Sequence, residues 1–183
     1  LDRRIALVVM SFVGTTPKRM VFGLMLTTTF LSAFMSNTAT AAMMVPVAMA
    51  LITLVHSTKA AGDPDAVTHE RNFSLCILLA LAYGASIGGM ATLIGSPPNG
   101  IYMRFMEQTY GQVVSIASWM KVGVPVTLLL FIVSFFVLTG LMFRNMGGSV
   151  PGGKEWVRNE LRSMGKLSTG EKAVGLCFLI AAV

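Results

Sequence analysis

Three stretches of this chain carry no charged side chain. No Asp, Glu, Lys or Arg lies between Arg19 and Lys59, between Arg71 and Arg104, or between Lys121 and Arg144. A helix crosses a bilayer with about 20 mainly apolar residues, so each gap can hold at least one. Of the 183 residues, 54% are hydrophobic and only 12% charged, against roughly 25% charged in a soluble domain. The pattern is that of an all-α integral membrane protein.

The formal charge of +6 does not point to nucleic acid, because the basic residues sit between the apolar runs and not on one face of a domain. They set orientation instead, since Lys and Arg are retained on the cytoplasmic side. One cluster is Arg3, Arg4, Lys18 and Arg19; the other is Arg144, Lys154, Arg158, Arg162, Lys166 and Lys172. Both are expected to be cytoplasmic, in a multi-pass protein of the cell inner (plasma) membrane. Cys76 and Cys177 lie in apolar runs and read as small packing residues, not as a disulfide or metal pair. Asn72-Phe73-Ser74 fits the glycosylation pattern but faces the cytoplasm on this topology. The chain opens on Leu1-Asp2-Arg3-Arg4 and ends inside an apolar run, which reads as a segment cut from a longer polypeptide.

Residues 1–17 suit an interfacial helix or the end of a preceding one. Residues 18–56 hold two apolar arms, about Met20–Met35 and Ala39–Val55, around the polar centre Ser36-Asn37-Thr38. Each arm rises about 24 Å as a helix, against about 30 Å of hydrocarbon. The run is too long for one span and too short for two, so a re-entrant hairpin with Ser-Asn-Thr at its buried tip is expected. The hairpin also leaves both basic clusters on one side, whereas a single crossing would separate them. Residues 57–71 read as a cytoplasmic loop. Residues 72–111 read as a broken transmembrane helix, apolar from Asn72 to Ile94, interrupted at Gly95-Ser96-Pro97-Pro98-Asn99 and resuming at 100–110. Counted from Asn72, that break would lie about 35 Å along the helix. Residues 112–143 read as an interfacial helix, with Trp119 at the membrane surface, followed by the cleanest span, 122–143. A basic cytoplasmic loop, 144–172, and the truncated start of a further helix, 173–183, complete the chain.

The chemistry is expected at the two interruptions. A broken helix exposes unpaired carbonyls on one side and unpaired amides on the other. Carbonyls suit a hard cation such as Na⁺, and amides and hydroxyls at helix N-termini suit a carboxylate. Ser32 and Ser36 are one helical turn apart, so their hydroxyls should face the same way. Asn37 offers an acceptor to a cation and a donor to an anion. Thr38 takes an N-cap-like position, Gly95 lets its carbonyl turn inward, and Ser96 adds a hydroxyl. Ser, Asn and Thr in membrane helices more often serve as interhelical glue, but a contiguous Ser-Asn-Thr inside a long uncharged run, followed by a Gly-Ser-Pro-Pro break, favours ligands.

SNTATAAMMVP (36–46) together with IGSPPNGI (94–101) resembles the divalent anion/sodium symporter family, the di- and tricarboxylate carriers. The resemblance covers nearly the whole chain and implies the first half of an inverted-repeat transporter. It implies Na⁺-coupled uptake of C4-dicarboxylates such as succinate, by an elevator motion in a homodimer. Carried over by motif, it implies a Na⁺ site of Ser32, Ser36, Asn37 and the Gly95 carbonyl. It implies a substrate site of Asn37, Thr38, Ser96 and Pro97. No second Ser-Asn-Thr is present, so half of the substrate site and a second cation site are expected in the C-terminal half of the same polypeptide.

Other readings are a related carrier for sulfate or citrate, a carrier coupled to protons, a channel, and an intramembrane serine hydrolase. The last rests on Gly84-Ala85-Ser86-Ile87-Gly88, which matches G-x-S-x-G. That motif requires a strand-to-helix elbow and a histidine base, and here it falls inside an apolar helix whose glycines suit packing. The protein is expected not to be an enzyme.

Overall fold

The computed structural model describes residues 2–57, 65–148, 150, 152–165 and 170. Its ordered elements are α1 (Asp2–Val13), α2 (Pro17–Ser32), α3 (Asn37–Ser57), α4 (Ala66–Gly88), α5 (Pro97–Tyr110), α6 (Ile116–Phe136), a π-helical continuation (Val137–Met142) and α7 (Gly153–Ser163). Three are long and apolar enough to cross a membrane: Asn37–Ser57, Ala66–Gly88 and Ile116–Met142. The expected helix at 173–183 lies outside the described residues, as do Lys59, Lys166, Lys172 and Cys177.

The centre of the bundle is α4, packed between α2 and α3. Small residues make this possible, because lipid supplies no hydrophobic drive between helices and close backbone approach must replace it. A Cβ on Gly84 would sit 3.0 Å from the Met25 carbonyl oxygen, and one on Gly88 would collide with the backbone of Thr29. These contacts set α2 and α4 parallel, with their C-terminal ends level. From Ser36–Asn37 the chain reverses, and α3 returns until His56 meets Glu70 at 3.8 Å.

Antiparallel to α4 runs α6. Its Thr127 hydroxyl donates to the Ile87 carbonyl at 3.3 Å, and Phe131 meets Phe22 edge-on at 5.5 Å. The π-helical turn then brings the Asn145 carbonyl to the Asn72 amide at 3.0 Å. Four methionines, Met10, Met20, Met25 and Met44, are fully buried and fill the space between helices, as their flexible side chains suit. Leu128, Leu129, Ile132, Val133 and Phe136 of α6 are exposed and form an outer apolar face.

At the end of the bundle where α2 and α4 begin, α1 and α7 lie antiparallel. The Arg4 guanidinium donates to the Met164 and Gly165 carbonyls at 2.9 and 2.8 Å, capping the C-terminus of α7. Gly153 sits against Thr15 at the other end of the pair. Arg4, Lys18, Arg19, Arg144, Arg158 and Arg162 therefore gather at one end.

The structure corrects several sequence expectations. The regular part of α2 ends at Ser32, so Ser36 belongs to the turn and not to the same helical face. The second arm is longer than expected: at 21 residues α3 rises about 31 Å. Ser36, not Thr38, caps it, its hydroxyl accepting from the Ala39 N–H at 3.3 Å. The broken helix ends at Gly88, six residues before Ile94, and the unwound segment is 89–96. The two prolines do not sit in the break. They are the first two residues of α5, where a missing N–H leaves no bond unmade. From Asn72 to Gly88 is about 24 Å, equal to the rise of α2, so the two interruptions meet at one level. Residues 116–121 form the first turns of α6 and not a separate interfacial helix. The segment 144–172 contains α7, because Trp156, Val157 and Leu161 pack against the core.

Candidate functional site

The hairpin tip is built where α2 runs out of helix. The Met35 N–H still reaches the Leu31 carbonyl at 3.1 Å, and Ser36 then starts α3. This turn places the Ser32 hydroxyl, fully buried, against two acceptors. It lies 2.6 Å from the Ala85 carbonyl of α4 and 2.9 Å from Asn37 Oδ1. Asn37 is half-buried, and its amide occupies the place that a Cβ on Gly89 would take.

The break is built against the tip. The Thr92 hydroxyl donates to the Ala33 carbonyl, one of the acceptors left free where α2 ends. It accepts from the Gly95 N–H at 3.2 Å. Gly95 is packed so closely that a Cβ there would lie 2.8 Å from both the Ser32 and Gly89 carbonyl oxygens. The Asn99 side-chain amide donates to the Gly89 and Thr92 carbonyls, both at 2.8 Å. The Trp119 indole donates to the Met90 carbonyl at 3.0 Å while its ring meets Tyr102 edge-on at 5.8 Å. Trp119 is therefore a brace for the break.

Of the residues singled out from the sequence, Ser32, Asn37 and Gly95 are brought together. Ser36, Thr38 and Pro97 are exposed beside them and Ser96 is half-buried at the start of α5. The sequence reasoning missed Gly89, Thr92, Asn99 and Trp119, which shape the site without belonging to the Ser-Asn-Thr or Gly-Ser-Pro segments. The signal for one was present: Asn99 follows directly on the two prolines. Threonines 27, 28, 53 and 139 bond back to the carbonyl four residues earlier, whereas the buried hydroxyls of Thr29 and Thr40 have no partner.

The described residues hold no group of three or more His, Cys, Asp or Glu that could take a metal ion. A cation here would meet neutral oxygens only: hydroxyl, amide and backbone carbonyl. Such a set suits a weakly held hard monovalent ion. Two helices of 21 and 14 residues begin at the same place, α3 at Asn37 and α5 at Pro97, and their N-termini favour negative charge nearby. Ser86 is exposed within regular α4, about 24 Å of helix from Glu70, beside which His56 sits. Among the described residues, Ser86 has neither a nucleophile elbow nor a nearby histidine base.

Residues 1–183 match the sodium:sulfate symporter transmembrane region. The chain belongs to the sodium:sulfate symporter family. It is 34% identical over 184 residues to the sodium-dependent dicarboxylate transporter SdcS of Staphylococcus saprophyticus, covering 100% of this chain and 35% of that protein. It is 33% identical over 183 residues to the transporter of the same name from Staphylococcus aureus, again covering 35% of it. The chain thus spans about a third of the length of the curated relatives it matches. Within the symporter family, the three spans and the polar interruptions described above fall in a membrane region, as the charge-free stretches require.

Proposed function

We propose that this chain supplies the first half of the binding site of a Na⁺-coupled symporter for C4-dicarboxylates of the succinate type, in the plasma membrane. The observation that carries the reading is the Ser32–Asn37 pair. A hydroxyl has one proton, and the shorter contact directs it to Ala85. Asn37 Oδ1 at 2.9 Å is the second acceptor beside that hydroxyl, so hydroxyl, amide and carbonyl oxygens converge in a part-buried spot. Such a cluster of neutral oxygens suits a hard cation. Na⁺ is the fitting guest, with Ser32, Ser36, Asn37 and the Gly95 carbonyl as ligands. The similarity to sodium-dependent dicarboxylate transporters supports both the ion and the substrate class.

The substrate would bind beside the ion. Asn37, Thr38, Ser96 and Pro97 line the first turns of α3 and α5, whose N-terminal dipoles would hold one carboxylate without any Lys or Arg. The co-bound cation adds to that attraction, which is the physical basis for coupling. The second carboxylate and a second cation would be held by the other half of the full-length polypeptide. In this reading α2 and α3 form a re-entrant hairpin, because α2 at 16 residues rises only about 24 Å and falls short of the hydrocarbon thickness. Tip and break are cross-bonded, which suits an elevator-type transport domain moving as one body. The carrier would work as a homodimer with both basic clusters in the cytoplasm.

The family's description names sulfate, so a sulfate carrier is the second reading. Uptake of labelled succinate into proteoliposomes holding the full-length protein, with and without a Na⁺ gradient, tests the first. Na⁺-dependent accumulation inhibited by unlabelled C4-dicarboxylates supports it. Accumulation of sulfate or citrate in preference to succinate transfers the site to that anion, and uptake driven by protons alone removes Na⁺.

A further inference from the structure

The Thr92 hydroxyl and the Asn99 amide are the two groups that join the hairpin tip, the unwound segment and α5, yet neither faces the proposed ligands. Thr92 is 4% and Asn99 8% exposed. The Thr92 hydroxyl uses its proton on the Ala33 carbonyl at the tip and its lone pair on the Gly95 N–H in the break. Both Asn99 amide hydrogens are used on carbonyls of the break, Gly89 and Thr92. The Asn99 backbone N–H also reaches the Ser96 carbonyl at 3.1 Å, so the side chain clamps the segment to the first turn of α5.

We propose that Thr92 and Asn99 are positioning residues that set the affinity of the Na⁺ site by holding the Gly95 backbone against Ser32 and Asn37. The inference rests on the Na⁺-symporter reading above. Gly95 and Ser32 come from different interruptions, and nothing covalent fixes their separation. Gly95 itself has the loosest backbone of any residue type. Its N–H is held by Thr92, whose position is fixed in turn by Ala33 on one side and Asn99 on the other. Without those bonds, the ion would have to order the break as it binds, and its apparent affinity would fall by the population of the competent arrangement. Removing either group also strands buried carbonyls or an N–H in a region without water to replace the bond.

The test uses purified full-length protein and reads the Na⁺ concentration giving half of the maximal thermal stabilisation, so that transport is not required. Thr92→Val keeps the side-chain shape and removes the hydroxyl. Asn99→Asp keeps the shape and removes both donors. Each loses two hydrogen bonds and should raise the Na⁺ midpoint by at least about tenfold, whereas Thr92→Ser, which keeps both bonds, should stay within about twofold. A fall in melting temperature with an unchanged Na⁺ midpoint in Thr92→Val and Asn99→Asp would reduce both residues to scaffolding and overturn the proposal. A tenfold shift in Thr92→Ser would overturn it too, and that variant is available even if the others do not fold. Absence of any Na⁺ stabilisation in the wild-type protein is a different result: it removes the Na⁺ site itself, and this inference with it.

Discussion

Gly88 of α4 lies directly against the backbone of Thr29 in α2, with no room between them for a single carbon. The contact is backbone to backbone, so no side-chain rotation can relieve it. Gly88→Ala should therefore push the two helices apart and destabilise the protein by about 3 kcal/mol. Gly84→Ala, whose Cβ would meet the Met25 carbonyl at 3.0 Å, should cost about 1 kcal/mol. Gly100 has open space around it, and Gly100→Ala should change stability by less than about 0.5 kcal/mol. Thermal unfolding of the three variants in detergent ranks them, and equal melting temperatures would remove the close approach as a determinant of packing.

Gly89 offers a different outcome one residue later. A Cβ there meets only the end of the Asn37 side chain, which can rotate away cheaply. Gly89→Ala should fold with a melting temperature near that of the wild type but lose Na⁺-dependent uptake at least tenfold, because Asn37 can no longer face Ser32. A coupled loss of fold and uptake would mean that Gly89 acts through packing alone.

Ser32 and Ser36 should separate in the same assay. Ser32→Ala removes a buried hydroxyl of the proposed cation site and should raise the Na⁺ needed for half-maximal uptake by more than about tenfold, on the scale of one lost bond to a charged group. Ser36→Ala removes an exposed hydroxyl of the proposed site together with the cap of α3. It should lower stability by about 1 kcal/mol and shift the Na⁺ requirement less. Reversal of that order would move the centre of the ion site toward the exposed side of the tip.

The long apolar helices were legible because charge-free length is a one-dimensional property. The interruptions that hold Ser32, Asn37 and Gly95 were legible because polar residues and glycine break that length. The position of the break was not. Pro97 and Pro98 are local helix breakers, yet the helix stops earlier, at Gly88, where α4 contacts Thr29, 59 positions before it in the chain. Once unwound, the chain uses the prolines to begin α5. Thr92, Asn99 and Trp119 were passed over for a related reason. Each bonds a backbone carbonyl that is free only because a helix ends nearby, and that condition exists only after folding. Ser32 and Ser36 were assigned one helical face from their spacing, which fails when the helix ends between them.

The shared end of the bundle makes a topological prediction that does not depend on transport. Asn72 bonds to Asn145 at 3.0 Å, and α7 packs on α1, so Lys18, Arg144 and Arg158 should lie on one side of the membrane. Gly111 and Gln112 follow α5, which leads away from that end, and belong to the other. Single cysteines replacing Lys18, Arg144, Arg158 or Gln112 in a background lacking the native thiols should therefore divide three to one. A membrane-impermeant maleimide should label the Gln112 variant in intact cells and the other three only in inverted vesicles. Labelling of Lys18→Cys from the same side as Gln112→Cys would place the hairpin's entrance opposite to the basic end and make α2–α3 cross the membrane rather than re-enter it.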